Sequence, residues 1–374
     1  MGFADTKDTE VASCLRWRPP SRDRPWEERA ALLKAGEPSC FWLRLRSDLQ
    51  DMKDDMMAEI VVVTYRSHKK ASLELRHFID RAGEDPNVQW TFVDNSEDSS
   101  DTGLLTPFIA GVPNARVITR PDNPGFAAGC NLIGLHTTAD WVVFINPDIF
   151  LEREAFERIV RALRDTDDRV GAVAISQQTR SFRHQGVTFN WAGWFMDRRI
   201  TTKPPHQPGI REALFRATGG TGALLGPSGG AAAYRACLFQ EFGGFYEPLF
   251  AWGEDADLSL RLHLAGCGCL PLDLGLPHQG GHSVSEGAAT KRRGYLLCRN
   301  RIWVAARLYS WPQTILFTVF LLTVLAAKTP VMLRKGTLGA NLRGMASGFS
   351  TFRSMRTTYT GKRLRLLAAD RCRA

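Results

Sequence analysis

The chain has 374 residues, 44% of them hydrophobic and 23% charged, with 33 Gly and 19 Pro. It is long enough to bury one large core or two modest ones, and its ordinary Gly and Pro content excludes collagen-like and wholly disordered classes. The net charge of +9 is uneven: residues 291–374 carry 17 Lys and Arg against one acid, Asp370, and such a basic tail points to an anionic partner.

Residues 1–57 are rich in Trp, Pro and Arg and show no clear period, so a flexible N-terminal extension is expected, with one amphipathic helix near 27–35. Its opening, "MGFADTKDTEVASCL", has no basic stretch followed by an apolar one, so no secretory signal is expected. The eight cysteines stand singly apart from Cys267 and Cys269. That pair has no second cluster at zinc-ribbon spacing, and reduced, structural thiols in the cytosol fit better.

From Glu59 an alternation begins. "EIVVVTY" (59–65) is a short β-branched run, and "HKKASLELRHFIDRAG" (68–83) has helical spacing ending on glycine. "VQWTFVDN" (88–95) and "ARVITR" (115–120) read as strands two and three. "GFAAGCNLIGLHTT" (125–138) reads as a helix and "ADWVVFIN" (139–146) as strand four. "LEREAFERIVRALRD" (151–165) is helical again, and "VGAVAI" (170–175) is strand five. Repeated β-α-β with continuous apolar strands implies a parallel sheet covered by helices on both faces. Residues 177–235 lose this period and read as irregular segments and antiparallel strands. "GEDADLSLRLHLAG" (253–266) then makes a helix with acids in its first turn. The organisation is a mixed α/β domain over 58–290 and a basic helical tail over 291–374.

Four predicted strand ends carry polar residues in order: Thr64, Tyr65 and Arg66; Asp94; "RPDNPGFAAGCN" (120–131); and Asn146-Pro147-Asp148. In a parallel sheet these ends share one edge, where ligands of α/β proteins gather. Each has a bland reading as well. A strand-end Asp is commonly a helix cap, and "NPGF" and "NPD" are turn signals.

The ordered run "VVVTYRS … VDNS … NPGFAAGCN … FINPD … GEDADLSLRLHLAG … HQGGHS" resembles family 2 glycosyltransferases with the GT-A fold, closest to the rhamnosyltransferase-like branch that builds bacterial surface polysaccharide. The resemblance implies a Rossmann-like nucleotide-diphospho-sugar transferase fold. It also implies an inverting transfer from a dTDP- or UDP-sugar donor to a glycan or lipid-linked acceptor. A magnesium or manganese ion (Mg2+ or Mn2+) would be held by Asp148, in the place of the usual Asp-x-Asp, and by His278 or His282. Thr64, Tyr65, Asp94, Asn123, Gly125, Asn131, Asn146, Ser228 and Gly229 would line the donor, with Asp94 accepting from the base N3–H. Asp255 would be the general base, Glu254 would orient the acceptor beside Trp252, and Asp257 would be structural. In an extended segment residues i and i+2 face one way, so Asn146 and Asp148 can address one site around the rigid Pro147.

Leu308 to Ala327 lack charge, but the dense apolar stretch from Thr314 is about 21 Å long at 1.5 Å per residue, short of a roughly 30 Å hydrocarbon core. With Arg299, Arg301 and Arg307 before it and Lys328, Arg334 and Lys335 after it, an in-plane or shallow anchor on an anionic membrane surface fits better than a span. A spanning helix and a soluble packing or dimer helix stay open. The implied place is cytoplasmic, peripheral on the inner face of the cell membrane. No nucleic acid partner is expected, and a homo-oligomer is left open. The competing functional readings are a non-catalytic sugar-nucleotide-binding or membrane scaffold and a nucleotidyltransferase. The latter would be expected to open on a Gly-rich basic loop that "VVVTYRSHKKAS" lacks.

Overall fold

A computed structural model describes residues 56–67, 72–167, 169–180, 182–200, 222–278, 286–359 and 361. The extension expected over 1–57 lies almost wholly outside these residues. The β-branched run after Ala58 forms β1 (Ala58–Thr64), which is buried at every position. β2 (Val88–Asp94), β3 (Ala115–Thr119) and β4 (Trp141–Ile145) follow, separated by α1 (Ser72–Ala82), α2 (Ser100–Ile109) and α3 (Phe126–Gly134). α4 (Arg153–Asp165) leads into β5 (Val170–Gln178). β1 pairs in parallel with β2 and β4, and β2 with β3. Strand order therefore reverses direction at β1, the kind of switch point outside which ligands bind.

Alternate residues of the strands feed two cores, as the two-residue period requires. Ile60, Val62, Trp90, Phe92 and Val143 pack with Phe78 of α1 and Phe156 of α4. Val61, Val63, Val142 and Phe144 pack on the other face with Cys130 and Ile133 of α3. Each such burial is worth about 1.5–3 kcal/mol. One charge sits within β1: the Glu59 carboxylate, 4% exposed, accepts from Thr91 Oγ1 at 2.7 Å and meets Arg116 at 2.8 Å. Burial of a charge is tolerable there because it is paired.

The second half departs from a simple parallel continuation. β6 (Arg183–Phe189) and β7 (Phe195–Arg199) form the expected antiparallel strands. β8 (Ala231–Arg235) inserts between β4 and β5, antiparallel to both, with Tyr234 opposite Val142 and Ala172. The sheet order is β3-β2-β1-β4-β8-β5-β6-β7, and β9 (Gly268–Pro277) also pairs β5 in parallel. α5 (Ala236–Glu241) follows β8, and α6 (Glu254–Ala265) precedes β9. The result is a mixed, partly parallel sheet with helices on both faces and a helical C-terminal region.

That region comprises α7 (Glu286–Leu308), α8 (Trp311–Arg334), α9 (Leu338–Ser350) and α10 (Phe352–Thr357). α7 runs through the boundary expected at 290/291. Its Ile302, Val304 and Leu308 share a core with Phe195 of β7, Ala256 and Leu260 of α6, and Phe317 and Leu321 of α8. The start of the basic tail is thus part of the sheet domain's packing. The expected 14-residue apolar core lies within a longer helix of 24 residues, one that is long and apolar enough to cross a membrane.

Candidate active site

The Asn-Pro-Asp turn leaves β4 with Asn146 N donating to Gly230 O at 2.8 Å, and Ile149 N closes it onto Asn146 O at 3.1 Å. Ile149 then forms an antiparallel bridge with His278 at the end of β9, and Phe150 N donates to Pro277 O. This brings His278 Nε2 to 3.3 Å from Asp148 Oδ1. The two expected metal groups are therefore neighbours, and His282 lies outside the described residues. One carboxylate and one imidazole fit a divalent ion that completes its shell from substrate phosphate oxygens and water. Among the described residues no group of three or more His, Cys, Asp or Glu could hold an ion unaided. Burial pushes the Cys267 and Cys269 thiols up to about 12, so neither offers a ready thiolate. His184 of β6, unsuspected from sequence, stands behind this corner with its ring 6.4 Å from that of His278. Burial lowers its pKa.

The donor-side loops meet on a residue that sequence reasoning passed over, Glu97. Its carboxylate accepts from Tyr65 OH at 3.2 Å and Asn123 Nδ2 at 3.3 Å, and pairs with Arg66 at 3.1 Å. Loops after β1, β2 and β3 are thereby joined. Thr64 is fully buried, and its hydroxyl has no partner among the described residues. Asp94 is also fully buried. It accepts from Ser96 N, from Thr102 N at 2.7 Å and from Thr102 Oγ1 at 2.8 Å, which caps the start of α2. The capping reading of Asp94 is the one this geometry displays. The Asn131 amide donates to Phe245 O and Glu247 Oε1 and accepts from Phe245 N, so it ties α3 to the chain after α5. Gly125 adopts φ 96°, and a Cβ there would lie 2.6 Å from Phe250 Cδ2, so only glycine fits.

Phe250 belongs to the turn that carries the acids. Phe250 and Trp252 hold φ of 67° and 65°, and Gly253 holds 108°. Left-handed backbone at two non-glycine residues is strained and needs surroundings that enforce it. α6 starts directly after, with Glu254, Asp255 and Asp257 in its first turn, where the helix dipole favours anions. Asp255 accepts from Gly229 N at 2.9 Å and from Ala256 N at 2.8 Å. Burial raises its pKa against the opposing pull of the Gly229 N–H, and Asp197 raises it further. Glu254 is 4% exposed, has one oxygen with no described partner, and is raised well above its ordinary value by burial and by Asp255. Asp257, two residues on, is structural: it lies 2.8 Å from Arg261 and 3.0 Å from Arg307. Burial opposes its ionisation, but the two guanidiniums win and hold its carboxyl below the ordinary value.

Residues 228–230 bridge the two sides. Ser228 Oγ accepts from Gln177 Nε2 at 3.1 Å, Gly229 N binds Asp255, and Gly230 O binds Asn146 N. A Cβ on Gly229 would sit 3.2 Å from Glu254 Oε1, so glycine keeps the approach to both acids open. Trp252 is exposed next to them.

Residues 59–218 match the model of a known family, described as glycosyl transferase family 2. This segment is similar to a family 2 glycosyltransferase domain. The match covers the donor-side loops and the Asn-Pro-Asp turn, whereas Glu254, Asp255 and His278 lie beyond it. No curated protein matches the chain. Among solved structures, a mannosyltransferase from Pyrobaculum calidifontis in complex with GDP-Man and Mn2+ is 14% identical with a TM-score of 0.48, over 83% of this chain and 94% of that one. Residues 1–349 of S. aureus TarS, 14% identical, give a TM-score of 0.46 over 81% and 91%. The same TarS segment in complex with UDP-GlcNAc gives 0.44.

Proposed function

We propose that the chain is an inverting, metal-dependent glycosyltransferase that moves rhamnose or a similar sugar from a dTDP- or UDP-sugar to a glycan or lipid-linked acceptor of the bacterial cell surface. One observation carries the reading. The Asp148–His278 corner and the acid Asp255 are tied through Asn146 N and Gly229 N to adjacent residues of a single turn, Gly229–Gly230. A donor seated over that turn would have its diphosphate at one side and its sugar facing the other.

Asp255 would accept the proton of the acceptor hydroxyl as that oxygen bonds to the anomeric carbon, while the bond to the diphosphate breaks and its electron pair leaves with the phosphate oxygen. Burial that raises the Asp255 pKa makes it a stronger base once ionised. Its two N–H donors hold the carboxylate in place. A single displacement from the face opposite the leaving group inverts the configuration. Asp148 and His278 would hold the ion, which neutralises the charge growing on the diphosphate. Tyr65, Asn123 and Glu97 would border the nucleotide, and Trp252 offers an apolar face to an acceptor sugar.

The helical region supports association with an anionic bilayer on the cytoplasmic side. Phe317 and Phe320 of α8 pack on Trp194, so the inner face of this helix is taken up by the domain. Its outer face leaves Trp311, Ile315, Val319 and Leu322 exposed, and Trp311, Ile315 and Val319 line with Phe349 of α9 an apolar groove of about 310 Å³. Residues 311–358 contain no acid, while Lys328, Arg334, Lys335, Arg343 and Arg353 supply positive charge. A helix with one face packed on protein and the other apolar and basic-flanked suits in-plane attachment.

A panel of nucleotide sugars with Mg2+ or Mn2+, scored for nucleoside diphosphate release, tests the activity. Release of dTDP or UDP that Asp255→Asn lowers by ~10²–10⁴-fold is the expected result. Tight donor binding without turnover, untouched by Asp255→Asn, would hand the case to a scaffold. For the surface, flotation with phosphatidylglycerol vesicles should weaken in an Ile315→Ser/Val319→Ser variant. Equal flotation would remove the attachment.

A further inference from the structure

The strained turn before α6 is held from a distance. Asn300, in the middle of α7 and fully buried, donates through Nδ2 to three carbonyls: Leu249 O at 2.9 Å, Ala251 O at 2.9 Å and Trp252 O at 2.7 Å. Two amide protons thus serve three acceptors, with one shared as a three-centre bond. These carbonyls converge because the chain coils through left-handed conformations at Phe250 and Trp252. Converging carbonyl dipoles repel one another, and buried acceptors without a donor are costly. The turn therefore depends on a donor at that point. Neighbours on α7 add to the grip. Arg299 Nη2 donates to Pro248 O and Leu249 O, and Arg292 lies over the Phe250 ring at 4.6 Å.

We propose that Asn300 is a positioning residue for the transfer reaction: it fixes the turn Leu249–Gly253 so that the next two residues, Glu254 and Asp255, face the Gly229 approach. This rests on the function proposed above. Asn300 touches neither the donor corner nor Asp255. Its effect passes through the backbone, where its amide bonds all three carbonyls. A carboxylate at 300 would repel them, and an aliphatic side chain would leave Ala251 O and Trp252 O without their donor, while Leu249 O would keep Arg299 and Ala251 N.

The test is a double-variant comparison on the full chain with the nucleotide sugar found to turn over. Asn300→Leu is expected to lower kcat at least tenfold while the donor Kd, measured by calorimetry, stays within twofold. Added to Asp255→Asn, it is expected to cost nothing further, because the group it positions is already gone. An equal extra loss in the Asp255→Asn background would overturn the inference in favour of a general structural role, as would wild-type kcat in Asn300→Leu. Where Asn300→Leu does not fold, Asn300→Ser, which keeps a polar group at the site, is read in the same comparison. Failure of both to fold would likewise reduce Asn300 to a structural residue. If the unaltered chain turns over no nucleotide sugar, the proposed function fails first. If it turns over and Asn300→Leu matches it, only the positioning role fails.

Discussion

The two sides of the candidate site are built by opposite means. On the proposed donor side, Tyr65, Arg66, Glu97 and Asn123 bond to one another across short loops after neighbouring strands, and the Arg66–Glu97 pair is half-exposed at 51% and 43% of its side chains. On the acid wall, Glu254 and Asp257 are buried, and the turn ahead of them takes its partners from α7, some fifty residues further along the chain. A wall made of strand ends is placed by sheet register and tolerates loose polar contacts. A wall made of a strained turn needs distant groups to hold it. The acid wall should therefore be the fragile one, in both chemistry and stability.

The largest effect is expected at Asp255, the proposed base. Asp255→Asn should lower kcat by ~10²–10⁴-fold with donor binding retained, measured by diphosphate release and calorimetry. Asp148→Ala should lower the rate by roughly 10²-fold and flatten its dependence on divalent ion concentration. A variant that keeps its Mg2+ or Mn2+ response would remove Asp148 from the ion site.

Stability should separate the walls next. Asp257→Asn leaves Arg261 and Arg307 buried without their counter-charge, which should cost ~3–5 kcal/mol in urea melts. Arg66→Ala removes an exposed pair and should cost about 1 kcal/mol or less. Comparable losses for the two would erase the contrast.

The pH responses have opposite signs. Asp255 has a raised pKa, so activity should fall as pH drops through a value above that of an ordinary Asp, seen as the acidic limb of a kcat profile. Asp257 has a lowered pKa. Its contribution to stability should be complete above the unfolded-state value and lost only as pH falls through the lower folded-state one, visible in acid unfolding. An acidic activity limb that coincided with acid unfolding would merge the two effects.

The strand-end side of the candidate site was largely legible in the sequence. β1 to β4 are β-branched runs between helical segments, and the Asn-Pro-Asp turn and the Glu-Asp start of α6 announce themselves by residue type. β8 was not legible as a central strand, since "AAAYR" has no β-branched residue and owes its place to pairing on both sides. β9 was hidden by Pro271, Gly275 and Pro277 and by register shifts against β5. The tie from Asn131 to Phe245 was not legible either, because an amide facing a ligand edge and an amide tying two segments look alike until the partner is seen. Glu97 was one acid among several in a polar loop. Asn300 could be flagged only as one polar residue of the helical stretch "NRIWVAARLY", because its three acceptors belong to a turn that no local pattern foretells.

The central place of β8 bears on how the molecule can be cut and how it must be made. β4 and β5 are never hydrogen-bonded to each other; they meet only through residues Ala231–Arg235. A fragment ending before that stretch would present β4 with a bare row of amides and carbonyls, and β5 would have no seat beside it. Such fragments should pair with one another and precipitate, and a ribosome must release well over half of this protein before its sheet can join up.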